Sequence, residues 1–342
     1  MVNWISYSVF ILEERDGIIY GSNICFDYNM LIHDIYKRYR RVLKVLVVPR
    51  QLCNTIAYHL CNKKNVIVVN AAIFQFCSRI RHHNLGDDLN YYLIKTLSGK
   101  KMFANRSFYH NHTVSNIMAI GSVIDWMANN ETIVWGAGMM KPVSNNNICC
   151  QPKKVLAVRG RLTRESLLNI GIECPEVYGD PALLLPLIYN PKVEKVRGRI
   201  GFIPHYEDIK DENINRLMGE CQGNAFLIKM QKYNSWKDVI KQILSCEYVV
   251  STSLHGLILS DAYGIPNQWI RLQNRSDFKY KDYYSSVGKE AVSFDVTETT
   301  HIEDLMEMKK YYKSITFDPK PLLESCPFAI THSEVLKVLN NH

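Results

Sequence analysis

A histidine follows a short apolar run that ends in small hydroxyl residues. Residues 248–251 predict a buried strand, His255 and Gly256 come just after it, and residues 257–263 predict a helix. In open α/β sheets, ligands bind at the carboxyl ends of parallel strands, beside helix N-termini whose N–H groups attract anions. Because histidine exchanges protons near neutral pH, His255 is a candidate acid or base in such a site. A histidine that is merely packed at a helix start is the alternative.

Charged residues stand at the ends of other predicted elements. Residues 155–158 form an apolar run, Arg159 follows it, and Arg161 lies on the turn before a predicted helix over residues 163–170. A planar guanidinium pairs with a carboxylate or phosphate through two hydrogen bonds. We expect Arg159 to reach the ligand site, whereas Arg161 is either a second anion ligand or a surface residue. Asp180 directly precedes a proline, and it either caps a helix, which is the interpretation we favour, or binds the hydroxyl groups of a ligand.

Polar and glycine-rich turns supply further candidates. Asn84 and Asp87 stand at the acidic start of a helix predicted over residues 88–98, where Asp87 either caps the helix or binds the hydroxyl groups of a ligand. Gly136 and Gly138 follow a predicted strand, but a lysine stands where a dinucleotide fingerprint has its third glycine. This pair therefore predicts a close approach of the backbone to a substrate. Lys279, downstream of the His255 helix, is a candidate for completing an anion pocket.

The composition is that of a globular protein with a moderate positive charge. The 342 residues suit two domains, and 47% hydrophobic and 22% charged residues are ordinary values. A net charge of +8 fits an anionic substrate, a phosphorylated lipid carrier or a membrane surface at least as well as nucleic acid, which we do not expect as a partner. The basic run over residues 37–44 is either a solvated helix face or a membrane contact.

The ten cysteines lack the spacing of a disulfide framework or a metal site. Together with the absence of a signal-peptide pattern, this predicts reduced thiols in a cytoplasmic protein and no bound metal.

Strand and helix patterns alternate along most of the chain, which predicts an α/β fold with parallel sheets. A polar, basic stretch over residues 190–199 predicts a linker, and we therefore expect two Rossmann-like domains facing a cleft. The predicted division is an N-terminal extension over 1–65, a first domain over 66–190, a second domain over 191–310 and a C-terminal helical segment over 311–342. In the extension, the pattern predicts strands over 3–12, 17–26 and 42–48 and a helix over 31–41.

Several of these segments occur together in the order of a known family. They resemble the polysaccharide pyruvyl transferase family, and the matching segments cover residues 84–90, 134–138, 158–164, 178–186, 251–266, 278–284 and 325–328. The resemblance leaves the N-terminal extension uncovered. It implies two Rossmann-like domains similar to the B-type glycosyltransferases. It also implies transfer of a pyruvyl unit from phosphoenolpyruvate to two sugar hydroxyls, which leaves a cyclic ketal.

The chemistry implied by the resemblance assigns roles to the candidate residues. Ketal formation needs an acid for the methylene carbon, positive charge for the carboxylate and the departing phosphate, and a base for the hydroxyls. The resemblance implies His255 and Arg159 as catalytic residues. The expected substrate-binding residues are Arg161, Ser253, Gly256, Asp87, Asn84, Gly136, Gly138 and Lys279. We expect no cofactor besides the donor phosphoenolpyruvate.

The acceptor that the resemblance implies is a sugar of a surface polysaccharide or of its lipid-linked precursor, at the cytoplasmic face of the cell membrane. Two other functions stay open. A B-type glycosyltransferase that uses a nucleotide sugar needs an acidic contact to the ribose late in the second domain, and the sequence shows no clear one. A catalytically silent sugar- or anion-binding relative would have no need of His255 and Arg159 together.

Overall fold

The fold is described by a computed structural model. It describes residues 14–15, 18–19, 51–76, 79–108, 114–143, 148, 150–273 and 275–340. The strands predicted over residues 3–12 and 42–48, the helix over 31–41 and the basic run over 37–44 lie outside the described residues, as does most of the strand predicted over 17–26.

The described strands are short. In chain order they are β1 (Glu14–Arg15), β2 (Ile18–Ile19), β3 (Val66–Val69), β4 (Phe74–Phe76), β5 (Arg79–Arg81), β6 (Lys101–Ala104), β7 (Asn116–Met118), β8 (Thr132–Trp135), β9 (Lys154–Ala157), β10 (Ile200–Ile203), β11 (Ala225–Leu227), β12 (Tyr248–Ser251), β13 (Asn267–Arg271) and β14 (Phe294–Asp295).

Helices separate most of these strands. In chain order they are α1 (residues 51–59), α2 (Leu85–Ser98), α3 (Ile124–Met127), α4 (Arg161–Leu168), α5 (Leu185–Ile188), α6 (Glu212–Glu220), α7 (Trp236–Leu244), α8 (Leu254–Ala262), α9 (Phe278–Ser286), α10 (Ile302–Met308), α11 (Pro319–Glu324) and α12 (Ser333–Asn340). Short 3-10 helices lie at Lys63–Asn65, Asn105–Ser107, Pro181–Leu184 and Lys309–Tyr311.

Two five-stranded sheets of the same topology form the centre of the fold. Their strand orders are β6-β3-β7-β8-β9 and β11-β10-β12-β13-β14, and every neighbouring pair is parallel. In each sheet the first strand along the chain lies between the second and the third, which is an order of doubly wound sheets. The α/β prediction with parallel sheets is thereby confirmed. The predicted linker over residues 190–199 contains no helix or strand, and the predicted domain boundaries stay predictions.

Three helices begin two or three residues earlier than predicted. The structure starts α2 at Leu85, α4 at Arg161 and α8 at Leu254, against predicted starts at residues 88, 163 and 257. Gly86 and Gly256 misled the prediction, because glycine weakens a helix and favours turns. A Cβ at Gly86 would lie 2.3 Å from the His255 ring, and one at Gly256 would lie 2.4 Å from the Ser251 hydroxyl. Close packing thus explains why glycines stand inside these two helices.

The N-terminal end of α2 joins the two sheets. Backbone hydrogen bonds of 2.8 and 3.2 Å connect residues 83–85 with residues 230–232. Asp88 is fully buried, and its Oδ2 accepts the Tyr233 hydroxyl at 2.7 Å and the His83 N–H at 2.9 Å. Burial raises the pKa of Asp88 to about 6, although both hydrogen bonds lower it. These bonds fix the start of α2 against the second sheet.

The C-terminal segment returns to the first sheet. The indole N–H of the buried Trp135, in β8, donates to the Leu322 carbonyl at 2.9 Å. The Phe328 ring meets the indole edge-on at 5.6 Å, and the Thr331 N–H donates to the Leu97 carbonyl at the end of α2. The chain beyond the second sheet therefore completes the core of the first.

We expect Tyr233→Phe to lower the free energy of unfolding by about 1–3 kcal/mol, because a buried carboxylate oxygen loses a hydroxyl donor. Urea denaturation followed by circular dichroism measures this change. Tyr311→Phe is the control, since its ring is 63% exposed, and we expect it to change stability by less than about 0.5 kcal/mol. Equal effects of the two substitutions would contradict a role of Tyr233 in joining the sheets.

Candidate active site

The candidate site lies at the carboxyl ends of β10 and β12, where the strand order of the second sheet reverses. Ligands bind at this point in doubly wound sheets. Ser253 caps α8, and its hydroxyl accepts the Gly256 N–H at 3.4 Å. His255 is therefore the second residue of the helix. The sequence had predicted that it precedes the helix. Because the Gly256 N–H already has this partner, the anion contacts predicted for Ser253 and Gly256 stay predictions.

His255 lies between the two sheets. Its ring packs against Gly86 in the first turn of α2, and its side chain is 15% exposed. Burial lowers the pKa of His255 to about 3, and the positive charges of Arg159 and Lys279 lower it further. The imidazole is therefore neutral at physiological pH, a form that can accept a proton from a hydroxyl group.

Asp180 faces this histidine from the first sheet. Its Oδ1 accepts the Ala182 N–H at 3.0 Å, so the predicted cap is confirmed. Its Oδ2 lies 3.8 Å from His255 Nε2. Burial raises the pKa of Asp180 to about 7, whereas the Ala182 N–H and Arg159 lower it. An aspartate before proline favours a cap, and no local pattern indicates its contact with the histidine.

Arg159 is fully buried and binds protein groups. Its Nε donates to Asp282 Oδ2 at 2.9 Å, one Nη to the Met139 carbonyl at 2.9 Å and the other to the Ser122 hydroxyl. Asp282 also accepts the N–H and hydroxyl of Thr163, both at 2.7 Å. The structure thus gives Arg159 a partner in α9 that sequence reasoning missed. Direct contact with phosphoenolpyruvate stays a prediction, while the guanidinium charge does act on His255 and Asp180.

The two predicted glycines have packing partners within the protein. Gly136 has φ +93°, and a Cβ there would lie 2.4 Å from Cδ of Pro181. A Cβ at Gly138 would lie 2.4 Å from the guanidinium carbon of Arg159. The close approaches that the structure shows are to Pro181 and Arg159, whereas the predicted approach of the backbone to a substrate stays a prediction.

Lys279 and His205 extend the site along α9 and β10. Burial lowers the pKa of Lys279 to about 8, as do the charges of Arg159 and Arg275. His205 stands after β10, and burial together with Lys279 and Arg275 lowers its pKa to about 3. Arg275 itself is held by both carboxylate oxygens of Asp208, at 3.1 and 2.7 Å. Sequence reasoning missed His205, although a histidine after an apolar strand is the signal that identified His255.

Asn84 and Asp87 bind each other at the start of α2. The Asn84 side-chain amide donates to Asp87 Oδ2 at 2.9 Å. Burial and the neighbouring Asp88 raise the pKa of Asp87 to about 7. The N-cap residue of α2 is Asn84, whose side chain makes no capping hydrogen bond, and Asp87 is the third residue of the helix. The predicted cap by Asp87 is therefore not observed, and its binding of ligand hydroxyls stays a prediction.

Arg161 is exposed, and its contacts are with residues other than those of the candidate site. Its backbone N–H donates to the Ser285 hydroxyl at 3.0 Å, and its guanidinium lies 4.9 Å from the centre of the Tyr178 ring. The structure shows no contact between Arg161 and His255, and its role as an anion ligand stays a prediction.

Within the described part of the chain, no group of three or more His, Cys, Asp or Glu side chains could hold a metal ion. None of the described helices is long and apolar enough to cross a membrane.

The fold and the site define an α/β protein that places a neutral histidine and buried cations at the carboxyl ends of parallel strands. Residues 84–274 match the model of the polysaccharide pyruvyl transferase family, which is more than half of the chain. The protein belongs to this family.

The chain is 25% identical to the succinoglycan biosynthesis protein ExoV of Rhizobium meliloti, over 68% of this chain and 70% of that protein. It is also 25% identical to an uncharacterised protein of Acanthamoeba polyphaga mimivirus, over 77% of this chain and 91% of the viral protein. A solved structure of an uncharacterised Klebsiella pneumoniae protein is similar with a TM-score of 0.40 at 13% identity, and the likeness covers 75% of this chain and 98% of that one.

We expect Arg159→Ala to lower the free energy of unfolding by about 3–5 kcal/mol, because Asp282 would keep a buried charge without its partner. Urea denaturation measures this change. The matched control is Lys153→Ala, which breaks a surface ion pair with Glu131 of the same 2.9 Å length. It should cost less than about 1 kcal/mol. A similar loss in both variants would contradict the structural role of Arg159.

We expect Gly86→Ala to displace the His255 ring, because the added methyl would lie 2.3 Å from Nδ1. The fold should persist, because residue 86 lies within a helix. Ring ¹⁵N signals of His255, assigned with His255→Gln, report the displacement. The control is Gly219→Ala in α6, where no atom lies within 4 Å of the added methyl. That substitution should leave the signals unchanged. Unchanged His255 signals in Gly86→Ala would show that the ring does not pack as described.

Proposed function

We propose that the protein transfers the pyruvyl group of phosphoenolpyruvate to two hydroxyls of one sugar, forming a pyruvate ketal. Membership in the polysaccharide pyruvyl transferase family and the similarity to ExoV support pyruvyl transfer in polysaccharide biosynthesis. The proposal adds the donor and the ketal product. It also includes the arrangement of B-type glycosyltransferases, with the reaction in the cleft between the two halves.

The reaction balances without an oxidant or reductant. Two sugar oxygens form bonds to C2 of phosphoenolpyruvate, while the double bond between C2 and the methylene carbon becomes single and the bond between C2 and the phosphate oxygen breaks. Of the two hydroxyl protons, one ends on the methylene carbon and the other leaves with the phosphate. The protein must therefore bind two anionic groups and move protons beside them, which is the task of a general acid–base residue.

The observation that carries the proposal is the half-buried ammonium of Lys279 close to a neutral histidine. Burial and the charges of Arg159 and Arg275 lower the pKa of Lys279 to about 8, so that the ammonium is destabilised until an anion binds. An incoming anion is therefore stabilised beside it more than at the fully exposed surface. We propose that Lys279 binds the carboxylate or phosphate of the donor, and that His255 moves the protons.

The acceptor in this proposal is a sugar of a surface polysaccharide or of its lipid-linked precursor. Asp87 and Asn84 at the start of α2 bind its hydroxyls, since their carboxylate and amide lie on the turn that carries Gly86. We propose that the protein works in the cytoplasm at the inner face of the cell membrane and contacts that surface peripherally. The proposal includes no nucleic acid, metal or further cofactor.

Isothermal titration calorimetry with phosphoenolpyruvate tests the donor. We expect Lys279→Met to weaken binding about tenfold to a hundredfold, because a charged contact to an anion contributes about 1.5–3 kcal/mol. Lys281→Met on the same helix is the control, since that side chain is 55% exposed, and its affinity should equal that of the wild type. Binding of a nucleotide sugar in place of phosphoenolpyruvate would contradict the proposal and favour a glycosyltransferase.

The affinity for phosphoenolpyruvate should fall as the pH rises through about 8, because Lys279 loses its positive charge there. Calorimetry from about pH 7 to pH 10 measures the decline, and Lys279→Arg should remove it because arginine stays protonated in this range. A decline that is identical in wild type and Lys279→Arg would show that another group binds the anion.

A further inference from the structure

Asp180 and His255 present unpartnered buried atoms to each other. Asp180 Oδ2 and His255 Nε2 are 3.8 Å apart, and neither has a hydrogen-bond partner among the described residues. A buried polar atom without a partner is destabilising, so two such atoms that face each other are unusual. Hydrogen bonds of active sites are often long in the empty protein and shorten when substrate binds.

The carboxylate of Asp180 is held so that one oxygen must face the histidine. Oδ1 accepts the Ala182 N–H, which fixes the side chain as a cap. Gly179, with φ +136°, allows the turn before Asp180, and Pro181, which packs against Gly136, restricts the backbone after it. Oδ2 is therefore directed at Nε2 by the turn itself.

The two ring nitrogens of His255 face different groups. Nε2 faces Asp180, whereas Nδ1 lies next to Gly86, in the first turn of α2. That turn also carries Asp87, which the proposed function assigns to the sugar. The nitrogen on the acceptor side of the ring is therefore Nδ1.

We infer that Asp180 is a positioning residue: its carboxylate accepts the Nε2–H of His255 and leaves Nδ1 as the nitrogen that takes the hydroxyl proton. An aspartate on one ring nitrogen fixes the tautomer and stabilises the imidazolium that forms. As the first sugar oxygen bonds to C2, its proton passes through Nδ1 to the methylene carbon, where the π pair of the C2–C3 double bond takes it. As the second oxygen bonds to C2, the bond to the phosphate oxygen breaks, and the second proton passes through Nδ1 to the phosphate. The catalytic part of this inference rests on the proposed function, but the tautomer does not.

The decisive variant is Asp180→Asn. Asparagine is as good a cap as aspartate, and its Oδ1 must stay on the Ala182 N–H. The amide NH₂ then faces Nε2 and donates to it, which forces the ring proton onto Nδ1. Asp211→Asn is the matched control, because Asp211 caps α6 in the same way, with a bond of 2.9 Å to the Asn213 N–H.

Ring ¹⁵N spectra measured at about pH 9 report the tautomer, and His255→Gln identifies the signals. We expect the proton on Nε2 in the wild type and in Asp211→Asn, and on Nδ1 in Asp180→Asn. At this pH Asp180 is ionised, since Arg159 lowers its pKa, although Asp282 raises it. His255 is neutral, since Arg159 and Lys279 both lower its pKa. Pyruvyl transfer should fall about a hundredfold or more in Asp180→Asn and stay unchanged in the control.

A proton that stays on Nε2 in Asp180→Asn would overturn the inference, whatever the activity. If the variant fails to fold, the wild-type spectrum decides, since a proton on Nδ1 leaves the Asp180 carboxylate without a donor and also overturns it. If Asp180→Asn switches the tautomer but the wild type shows no transfer from phosphoenolpyruvate, the positioning role is supported and the proposed function is rejected. Failure of the positioning role and failure of the proposed function are therefore distinguishable.

Discussion

The buried ion pair between Arg159 and Asp282 is the interaction on which the candidate site depends. It joins the end of β9 in the first sheet to α9 beside the second, with both side chains fully buried. Charges withdrawn from water are stable only when their hydrogen bonds keep good geometry. The elements that carry Met139, Ser122 and Thr163 must therefore keep their positions around the pair. The absence of a side chain at Gly138 and Gly160 is part of the same requirement, because a Cβ at either would collide with Arg159 or with Asp282.

The same arginine sets the electrostatics of the site without needing to touch a substrate. Its charge lowers the pKa values of His255, Lys279 and Asp180. It thus favours the neutral imidazole and the ionised carboxylate, which is the combination that a base and its orienting partner need. An anionic donor would reverse part of this effect, because its negative charge next to Lys279 and His255 stabilises their protonated forms. In the proposed function, binding of the donor would therefore raise the readiness of the histidine to hold a proton.

Local patterns predicted the fold and single residues of the candidate site, but not the contacts between them. The apolar run over residues 248–251 is a strand at the predicted position, since a parallel sheet buries both faces of each strand. His255 was found because it follows this strand, and Lys279 because it lies downstream of the His255 helix. The pairings that complete the site join residues far apart in the chain, as Asp180 with His255 and Arg159 with Asp282. No local pattern encodes them. The starts of α2 and α8 were misplaced for a related reason. The close contacts that require Gly86 and Gly256 are made with residues outside their own helices.

The return of the C-terminal segment to the first sheet has a consequence for synthesis of the chain. Trp135 and its acceptor Leu322 are 187 residues apart in the sequence. At ~5–20 residues per second, a ribosome needs about 10–40 s to make the intervening chain. During this time Trp135 lacks its contacts with Leu322 and Phe328. The core of the first sheet is therefore completed only after the segment that carries these two residues has been made.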